Sequence, residues 1–468
     1  MTDLTIHWFR QDLRISDNPS LYEAAKKGRV LPIYIFDDST ENLRQMGGAS
    51  LVWLHYALHD LNKKLGGNLK IFKGGPAKIL PDIINKSQAK AVYWNRCYEP
   101  WAIIRDKNIK EKLKDDSIQT ESFNGSLLLE PWEALKDDGS PYRVFTPFYK
   151  KNYQLKEFSE ALKEPETLNI YTKNIGETDI NSLKLLPEIK WYEELLKKWD
   201  ISEDGAKERL FAFLDDGIKD YKKGRNFPAQ NNNSRLSPYL HFGQISPRQI
   251  WNSVLFYEQN ENTENFCVEL AWREFSYNLL YYYPDLPSDS LQKKFDKFPW
   301  KKNDGFTKKW QKGMTGYPIV DAGMRELWQT GFMHNRIRMV VASFLVKNLL
   351  IDWREGEKWF WDCLFDADLA NNAAGWQWVA GCGADASPYF RVFNPINQGE
   401  RFDASGEYTR KYVPELAKLP DKYLFKPWEA QQDILDKAKI ELGKTYPFPI
   451  VDAAKTRKEA LEAYEKIK

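Results

Sequence analysis

The sequence has few cysteines and no long apolar segment. Its four cysteines, Cys97, Cys267, Cys363 and Cys382, are scattered without a CxxC pair or a metal-ligand spacing. This distribution predicts neither a disulfide framework nor a metal site. The longest apolar run, MVVASFLV from Met339, is far shorter than a membrane-spanning helix requires. The start of the chain also lacks the apolar stretch of a signal peptide, so we expect a cytoplasmic protein without a membrane partner.

Neither positive nor negative charge is in large excess over the whole chain. Lysine and arginine together number 68 against 66 acidic residues, so the protein is not a polycation. Charge is uneven, however, because residues 293–312 hold eight lysines against two aspartates, and residues 219–225 form a second basic run. Such runs are as often solvated loops as binding surfaces. The aromatic residues between the lysines favour the alternative, a surface that faces nucleic-acid phosphates.

Short β-branched or aromatic runs alternate with helical patterns near the start of the chain. The runs LTIHWF, VLPIYIF, LKIF, AVYW and IQTESF predict the strands of a doubly wound, mainly parallel sheet. The GxGxxG turn of dinucleotide-binding domains is missing, and KGGPAK after the third run is not that fingerprint. The sequence therefore predicts an α/β domain and disfavours a nicotinamide-dependent dehydrogenase.

The rest of the chain divides into a connection and a helical region. We predict an α/β domain over residues 1–128, a long linker rich in proline and charge over residues 129–199, and a larger all-α domain over residues 200–468. Beyond the linker every strong pattern is helical. Ser237 and Ser246, each followed by proline, predict the N-caps of two helices.

Two predicted helices place unusual side chains on one face. In FCVELAWREFSYNLLYYYP, helical spacing brings Glu269, Trp272 and Arg273 together. An amphipathic helix with a Glu–Arg pair at i and i+4 explains this pattern equally well. In FMHNRIRMVVASFLV, the same spacing brings Asn335 and Met339 together on the start of another helix.

A third stretch, DADLANNAAGWQWVAG, combines two carboxylates, two amides and two indoles. Trp376 and Trp378 are two residues apart, so a helix directs them to nearly opposite sides, although both could simply be core residues. The polar loop NNNSRLSP ends at a predicted helix start, and such a loop suits a phosphate group as well as ordinary capping.

Long ordered motifs resemble one family over nearly the whole chain. They are HWFRQDLRISDN, GRNFPAQNNNSRLSPYLHFGQISPRQ and the region from GFMHNRIRMVVASFLV to FNPINQGERFD. These motifs resemble the DNA photolyase/cryptochrome family, and within it the cyclobutane pyrimidine dimer photolyases. The resemblance implies an α/β antenna domain joined to a helical domain that binds FAD. It also implies a carbon–carbon lyase in which light-excited, reduced FAD donates an electron to a flipped-out pyrimidine dimer.

The resemblance also implies which residues hold FAD: Tyr221, Asn233, Ser234, Arg235, Leu236, Ser237, Arg338, Asp366, Ala367, Asp368 and Asn372. Arg338 would pair with Asp366 beside the flavin. Asn372 would be the amide next to flavin N5, although the neighbouring Asn371 remains an alternative.

For the damaged DNA, the resemblance implies a catalytic lesion pocket of Glu269, Trp272, Asn335, Met339 and Trp378, and DNA contacts by Arg225, Glu269, Trp272, Arg273, Asn335, Arg336, Trp378 and Gln398. Relatives that repair (6-4) photoproducts carry two histidines where this chain has Asn335 and Met339. Neither residue is an acid near neutral pH, so we expect repair of cyclobutane dimers only. His334 is interpreted as a residue within the helix, turned away from the pocket.

Three tryptophans match the family's electron relay to the flavin, and each alone is also typical of a core. They are Trp376, Trp353 and Trp300. We further expect a second, antenna chromophore, with methenyltetrahydrofolate weighed slightly above 8-hydroxy-deazaflavin. Ultraviolet-damaged DNA is the expected partner of a monomer that has no obligate protein partner. The alternatives are a cryptochrome-type photoreceptor and a non-catalytic flavoprotein that binds nucleic acid.

Overall fold

The computed structural model describes residues 3–154, 156–386 and 390–468. Its first strands and helices are β1 (Asp3–Phe9), α1 (Pro19–Lys27), β2 (Gly28–Phe36), α2 (Gly48–Lys64), β3 (Lys70–Lys73), α3 (Pro76–Ser87), β4 (Ala91–Asn95), α4 (Pro100–Asp115) and β5 (Gln119–Phe123). Strand and helix alternate as the sequence predicts. All five predicted strands are confirmed.

The strands form one parallel sheet in the order β3-β2-β1-β4-β5. The central strands are buried along almost their whole length, as expected for a parallel sheet with helices on both faces. Residues 129–199, predicted as a linker, contain α5 (Phe145–Asn152), the short strand β6 (Asn169–Ile170) and α6 (Glu193–Leu196). Because β6 pairs in parallel with β2, part of that connection belongs to the sheet.

The remaining helices are α7 (Glu203–Asp215), α8 (Tyr221–Gly224), α9 (Ser237–Phe242), α10 (Pro247–Leu255), α11 (Glu261–Tyr282), α12 (Asp304–Gln311), α13 (Pro318–Thr330), α14 (Asn335–Ser343), α15 (Trp353–Cys363), α16 (Leu369–Ala380), α17 (Pro395–Phe402), α18 (Glu407–Tyr412), α19 (Asp421–Leu424), α20 (Gln432–Ala438) and α21 (Ala453–Glu465). A π-helical turn, Phe344–Asn348, follows α14 directly. The predicted fold class, an α/β domain followed by a helical region, is confirmed. Among the described residues, no helix is long and apolar enough to cross a membrane.

The chain divides into two compact units that differ from the predicted domain bounds. The first unit comprises Met1–Tyr142, Thr146–Asp216 and Ser234–Pro284, and the second comprises Arg143–Phe145, Gly217–Asn233 and Asp285–Lys468. In the first unit, Trp53 of α2 packs at 5.0 Å from Tyr239 and donates a 2.8 Å hydrogen bond to Gln244. Burial of this aromatic contact explains why residues 234–284 join the sheet rather than the later helices.

Close helix packing in the second unit depends on two glycines. A Cβ at Gly323 of α13 would lie 2.3 Å from Ile337 of α14, and one at Gly356 of α15 would lie 2.1 Å from the Trp376 ring. Neither distance is possible for a real side chain. The close approach of α14 to α13 and of α16 to α15 therefore requires glycine at positions 323 and 356. The packing places Trp376 in the core that the second unit forms.

One of the two predicted helix starts is confirmed and the other needs correction. Ser246 is the N-cap of α10 and forms a complete capping box with Gln249, as expected. Ser237, in contrast, is the first residue of α9, and Leu236 occupies the cap position without a side-chain bond. The predicted N-cap at Ser237 is therefore wrong, because this residue already lies within the helix. Leu236 cannot replace it as a side-chain cap, since a leucine has no oxygen to accept a bond from a backbone N–H.

Candidate functional site

In the stretch DADLANNAAGWQWVAG, the acids and amides near the start of α16 form separate hydrogen bonds. Asp368 is the N-cap, and its carboxylate accepts bonds from the Asn371 backbone N–H at 2.8 Å and from the Asn371 amide at 2.9 Å. The Asn371 side chain is therefore held at the cap of its own helix. This contact leaves Asn372 as the amide that is directed elsewhere.

Buried Asn372 is oriented by Glu357 of α15. Its Nδ2 donates to the Glu357 carboxylate at 2.8 Å and to the Glu357 backbone carbonyl at 3.1 Å. A backbone carbonyl only accepts hydrogen bonds, so the amide nitrogen must face Glu357 and the carbonyl oxygen must face away. No pattern in the sequence indicated Glu357, because its pairing with Asn372 depends on the packing of α15 against α16.

An ion pair joins α14 to the segment before α16. Nη2 of Arg338 lies 3.0 and 2.8 Å from the two carboxylate oxygens of Asp366, which is buried. Nε of the same arginine donates to the Met333 carbonyl at 2.7 Å. These bonds fix both side chains, and the Arg338–Asp366 contact that the resemblance implies is present. Ala367, between the two acids, is fully buried.

The three tryptophans of the predicted relay differ in burial. Trp376 is buried, with ring centroids 4.9 Å from Phe360 and 6.2 Å from Trp310. Trp353, the first residue of α15, is fully buried, whereas Trp300 is half-buried against Phe298 at 4.4 Å.

Trp378 lies on the other side of α16 from Trp376, as the sequence predicts. It is half-buried, and its indole N–H donates to the Asp385 carbonyl at 3.2 Å. One indole thus belongs to the core while the other reaches the surface.

The start of α14 carries Asn335 and Met339 on one face and is capped by His334. Asn335 is exposed and Met339 half-buried. His334 precedes the helix, and its Nδ1 accepts a bond from the Arg336 backbone N–H at 3.2 Å. The prediction that His334 is a residue within the helix is therefore wrong. An imidazole that accepts at Nδ1 is neutral and carries its proton on Nε2.

In the first unit, α11 exposes part of its predicted lesion face. Glu269 and Trp272 are half-buried on this helix, which begins at Glu261. Arg273 is buried instead, where it donates to the Ser126 carbonyl at 2.8 Å and pairs with Glu274 at 3.3 Å. A guanidinium engaged in this way would have to break those bonds to reach DNA, which argues against the predicted phosphate contact of Arg273.

The loop at residues 234–237 has the backbone shape of an anion-binding turn. Arg235 has a φ of 51°, the left-handed conformation that residues other than glycine seldom adopt. The Ser234 hydroxyl accepts from the Leu236 N–H at 3.4 Å, and Ser237 is exposed. Successive backbone N–H groups in such a turn converge on one point and attract an anion. The other residues predicted for FAD, from buried Tyr221 and half-buried Asn233 to Asn372, belong to the second unit.

Four arginines far apart in the sequence meet in the second unit. This arginine cluster consists of Arg225, Arg336, Arg391 and Arg401. Burial, and then the positive charges of Arg225, Arg401 and Arg391, lower the pKa of Arg336. Among the residues that the structure describes, no carboxylate contributes to that shift. Positive charge concentrated in this way is typical of an anion-binding surface.

Aromatic and amide groups support the arginine cluster. The guanidinium groups of Arg336 and Arg401 lie 4.5 and 5.1 Å from the Phe402 ring, and Arg336 also donates to Asn226. Oε1 of Gln398, one turn before Phe402, is buried without a hydrogen-bond partner among the described residues. Sequence reasoning missed Arg391 and Arg401. The spacing of Gln398 and Arg401 at i and i+3 of α17 is the signal that could have indicated Arg401.

A polar cluster fills the edge of the sheet where a ligand would be expected. In doubly wound sheets, ligands bind beyond the carboxyl ends of the strands where the strand order reverses, which here is between β1 and β4. At this edge the Asn95 amide donates to Asp12 at 2.6 Å and to Asn18 at 2.7 Å, while Arg10 pairs with Asp106. Polar side chains of the chain itself thus line this edge of the sheet.

Comparison with known proteins identifies the family. Residues 5–166 match the family described as DNA photolyase, and residues 266–466 match the FAD binding domain of DNA photolyase. A deoxyribodipyrimidine photo-lyase from Agrobacterium fabrum is 47% identical, with 99% of this chain and 98% of that protein aligned. Cryptochrome-2 from Arabidopsis thaliana is 38% identical over 97% of this chain and 77% of its own length.

A solved structure agrees with these matches over the whole length. The crystal structure of a bacterial class III photolyase from Agrobacterium tumefaciens has a TM-score of 0.96 and 46% identity, and it covers 100% of this chain and 98% of that chain. The chain belongs to the DNA photolyase/cryptochrome family. Within the family, relatives named photo-lyase align with it almost from end to end.

Proposed function

We propose that this protein is a photolyase that splits cyclobutane pyrimidine dimers in ultraviolet-damaged DNA. DNA repair and membership of the deoxyribodipyrimidine photo-lyase enzymes rest on full-length similarity to such enzymes. The observation that carries the choice of lesion is the helix start at α14, where Asn335 and Met339 share one face. An amide and a thioether contact a dimer but donate no proton to it near neutral pH.

The residues in both units fit FAD by their chemistry. The turn at residues 234–237 suits the diphosphate, and the paired Arg338 and Asp366 offer a donor and an acceptor whose charges balance each other. The Asn372 carbonyl oxygen, turned away from Glu357, suits a ring N–H group such as that at flavin N5. When bound and reduced, FAD supplies the light-excited electron that opens the cyclobutane ring. Glu357 is then a positioning residue, because it decides which atom of Asn372 is presented.

Side chains of the proposed lesion pocket bind and orient the dimer. Trp272 and Trp378 are half-buried indoles that offer flat apolar walls, and Asn335 offers an amide for a base edge. Glu269 hydrogen-bonds the carbonyl or imide groups and stabilises the charge that develops on the dimer. A dimer stacks and pairs poorly, so it is extruded into such a pocket at lower cost than an intact base.

The arginine cluster is the proposed surface for the phosphates that flank the lesion. Arg225 and Arg336 were predicted there together with Gln398, and the structure adds the neighbouring charges of Arg391 and Arg401. Phosphate contacts fix the register of the protein on DNA and carry no sequence information. This property suits an enzyme that must act on lesions in any sequence.

Reduced flavin has to be regenerated after oxidation, and we propose that Trp376, Trp353 and Trp300 relay the electron. Trp376 and Trp353 are buried, and Trp300 is partly exposed. This gradient in exposure supports a path that begins at the surface.

A second chromophore remains part of the proposal, with methenyltetrahydrofolate ahead of 8-hydroxy-deazaflavin. The absorbance of the cofactors released by mild denaturation will identify it.

A cytoplasmic location and a monomeric state also remain predictions. Light scattering on the purified protein, with and without damaged DNA, measures the number of chains in solution. A dimer in the absence of DNA would contradict the monomer.

Two irradiated oligonucleotides test the proposed function directly. One contains cyclobutane thymine dimers and the other a (6-4) photoproduct, and each is incubated with reduced protein in light or darkness. We expect chromatography to show monomeric thymines only for the first substrate and only in light. Efficient repair of the (6-4) substrate would overturn the assignment of the lesion.

A blue-light photoreceptor is the second candidate function, because the similarity to a cryptochrome also spans nearly the whole chain. A protein that absorbs blue light and binds DNA but leaves both substrates unchanged would favour the photoreceptor.

A further inference from the structure

A cavity of about 450 Å³ lies beside Trp300 in the second unit. Its lining combines the half-buried indole of Trp300 with Lys302 and Lys308, while Ile351 adds an apolar part. Small-molecule sites usually have volumes between about 300 and 1,000 Å³. The cavity therefore has the size of a site for a small organic ligand, and its lining is mainly charged and polar.

Of the charged side chains that line this cavity, Lys301 pairs with Glu459 and Asp352 pairs with Arg354, whereas the other four have no ion pair among the described residues. Lys302, Lys308, Asp304 and Glu355 all line it, and all four side chains are exposed. Among the described residues, none of the four forms an ion pair with any other side chain. Ammonium groups that stay apart from nearby carboxylates can bind an anionic oxygen, and the carboxylates can accept bonds from hydroxyl groups.

The cavity also adjoins the outer part of the proposed electron relay. The Lys301 N–H donates to the Leu350 carbonyl at 2.7 Å, which ties the segment that carries Trp300 to the turn before α15. Asp352 lines the cavity and caps α15, whose first residue is Trp353. A ligand in the cavity would therefore contact the Trp300 indole close to the next tryptophan of the relay.

We propose that this cavity binds a small polyhydroxylated organic anion of the enediolate class, which returns an electron to Trp300. A planar enediolate matches the indole face, its anionic oxygen matches Lys302 and Lys308, and its hydroxyl groups match Asp304 and Glu355. The inference rests on the proposed function, because it requires Trp300 to lose an electron when light reduces the flavin.

The electron transfer balances without any further reactant. The Trp300 radical cation gains one electron and becomes neutral tryptophan, with its indole N–H intact. The bound monoanion loses that electron together with one hydroxyl proton, which passes to water, and leaves as a radical anion. Each electron that the relay delivers to the flavin thus consumes one donor molecule.

Equilibrium dialysis in darkness, with ascorbate as the probe and the flavin-containing protein, tests the binding. The variant Lys302→Gln/Lys308→Gln removes the two unpaired lysines of the cavity and leaves Lys301, which pairs with Glu459, whereas Lys297→Gln/Lys312→Gln removes two exposed lysines of the same segment that do not line it. We expect the first variant to weaken binding at least about fivefold, from the loss of two exposed charge contacts. The control variant should remain within about twofold of wild type. Equal affinities in the two variants, or no saturable binding by wild type, would overturn the proposal.

Photoreduction measured against ascorbate concentration tests the electron transfer. Wild type should saturate with the same constant as in dialysis. In Trp300→Phe, which keeps an aromatic wall, ascorbate binding should persist while this saturable component disappears. A rate that rises linearly with ascorbate in wild type would overturn the proposal. Dimer repair by chemically reduced wild type tests the proposed function separately, because that reaction needs no donor in the cavity.

Discussion

Two basic regions of the second unit show why counting charges is a poor guide to a binding surface. The lysine segment, residues 293–312, holds eight lysines against two aspartates, and two of these lysines pair with acids outside the segment. Lys293 lies 2.7 Å from Asp289, and Lys301 lies 3.0 Å from Glu459. Exposed pairs of this kind contribute little to stability, and each acid offsets the positive charge of its lysine.

The arginine cluster has only four cations, but they are concentrated. Burial, and then the positive charges of Arg225, Arg401 and Arg391, lower the pKa of Arg336. Repulsion among these charges lowers the stability of the folded protein, and a bound polyanion would reduce the repulsion. The comparison supports the proposal that the arginines contact phosphates and that the lysine segment has a different role.

Removing two members of the cluster should have the largest effect. In Arg336→Ala/Arg401→Ala, the loss of two phosphate contacts should lower the affinity for damaged and undamaged DNA alike by about a hundredfold at low salt. The slope of log affinity against log salt should fall by about two. A fluorescence titration over a range of salt concentrations measures both. An unchanged slope would remove these arginines from the phosphate contacts.

A smaller effect is expected for Arg391→Ala, since the exposed Arg391 lies at the edge of the cluster. Its loss should reduce DNA affinity by about threefold to tenfold and the salt slope by about one. Arg354→Ala serves as the control, because Arg354 pairs with Asp352 and does not influence Arg336. Equal losses in the two variants would mean that a general decrease in charge, rather than the cluster, determines the affinity.

The buried Lys347 beside the cluster should make stability depend on pH. Burial, and then the Arg391 guanidinium, lower the pKa of Lys347 to about 7, and its ammonium donates to the Arg391 carbonyl. The unfolded chain keeps an ordinary lysine protonated well above this pH. It therefore binds more protons than the folded state between about pH 7 and pH 10, and this group makes the free energy of unfolding rise with pH in that window.

Lys347→Met removes that titration. Relative to wild type, the variant should be most favoured at pH 6, and its advantage in Tm should shrink by a few degrees towards pH 9. Thermal melts at several pH values measure this difference, with Lys297→Met as an exposed control. Parallel profiles for wild type and Lys347→Met would contradict the shift.

The smallest effect on DNA should come from the lysine segment itself. Lys297→Gln/Lys312→Gln removes two exposed charges there, and we expect DNA affinity to change by less than about threefold. A loss as large as that of the arginine variants would reverse the comparison and make the lysine segment the phosphate surface.

Local patterns in the sequence determined much of the fold and its family. Alternation of apolar runs predicted all five main strands, because a parallel sheet buries both faces of each strand. Long motifs identified the family, and helical spacing placed Asn335 with Met339 and separated Trp376 from Trp378. These features depend only on residues close together in the chain.

Only the tertiary structure decided the contacts between distant residues. The burial of Arg273 against Ser126, the orientation of Asn372 by Glu357 and the meeting of four arginines all depend on how helices pack. Helical and strand periodicity states which face a residue occupies, but not what lies opposite that face. The hydrogen-bond partner of a side chain, its burial and the electric field around it are set when remote segments come together. These three properties determine whether a polar side chain supports the fold or remains available to bind a ligand.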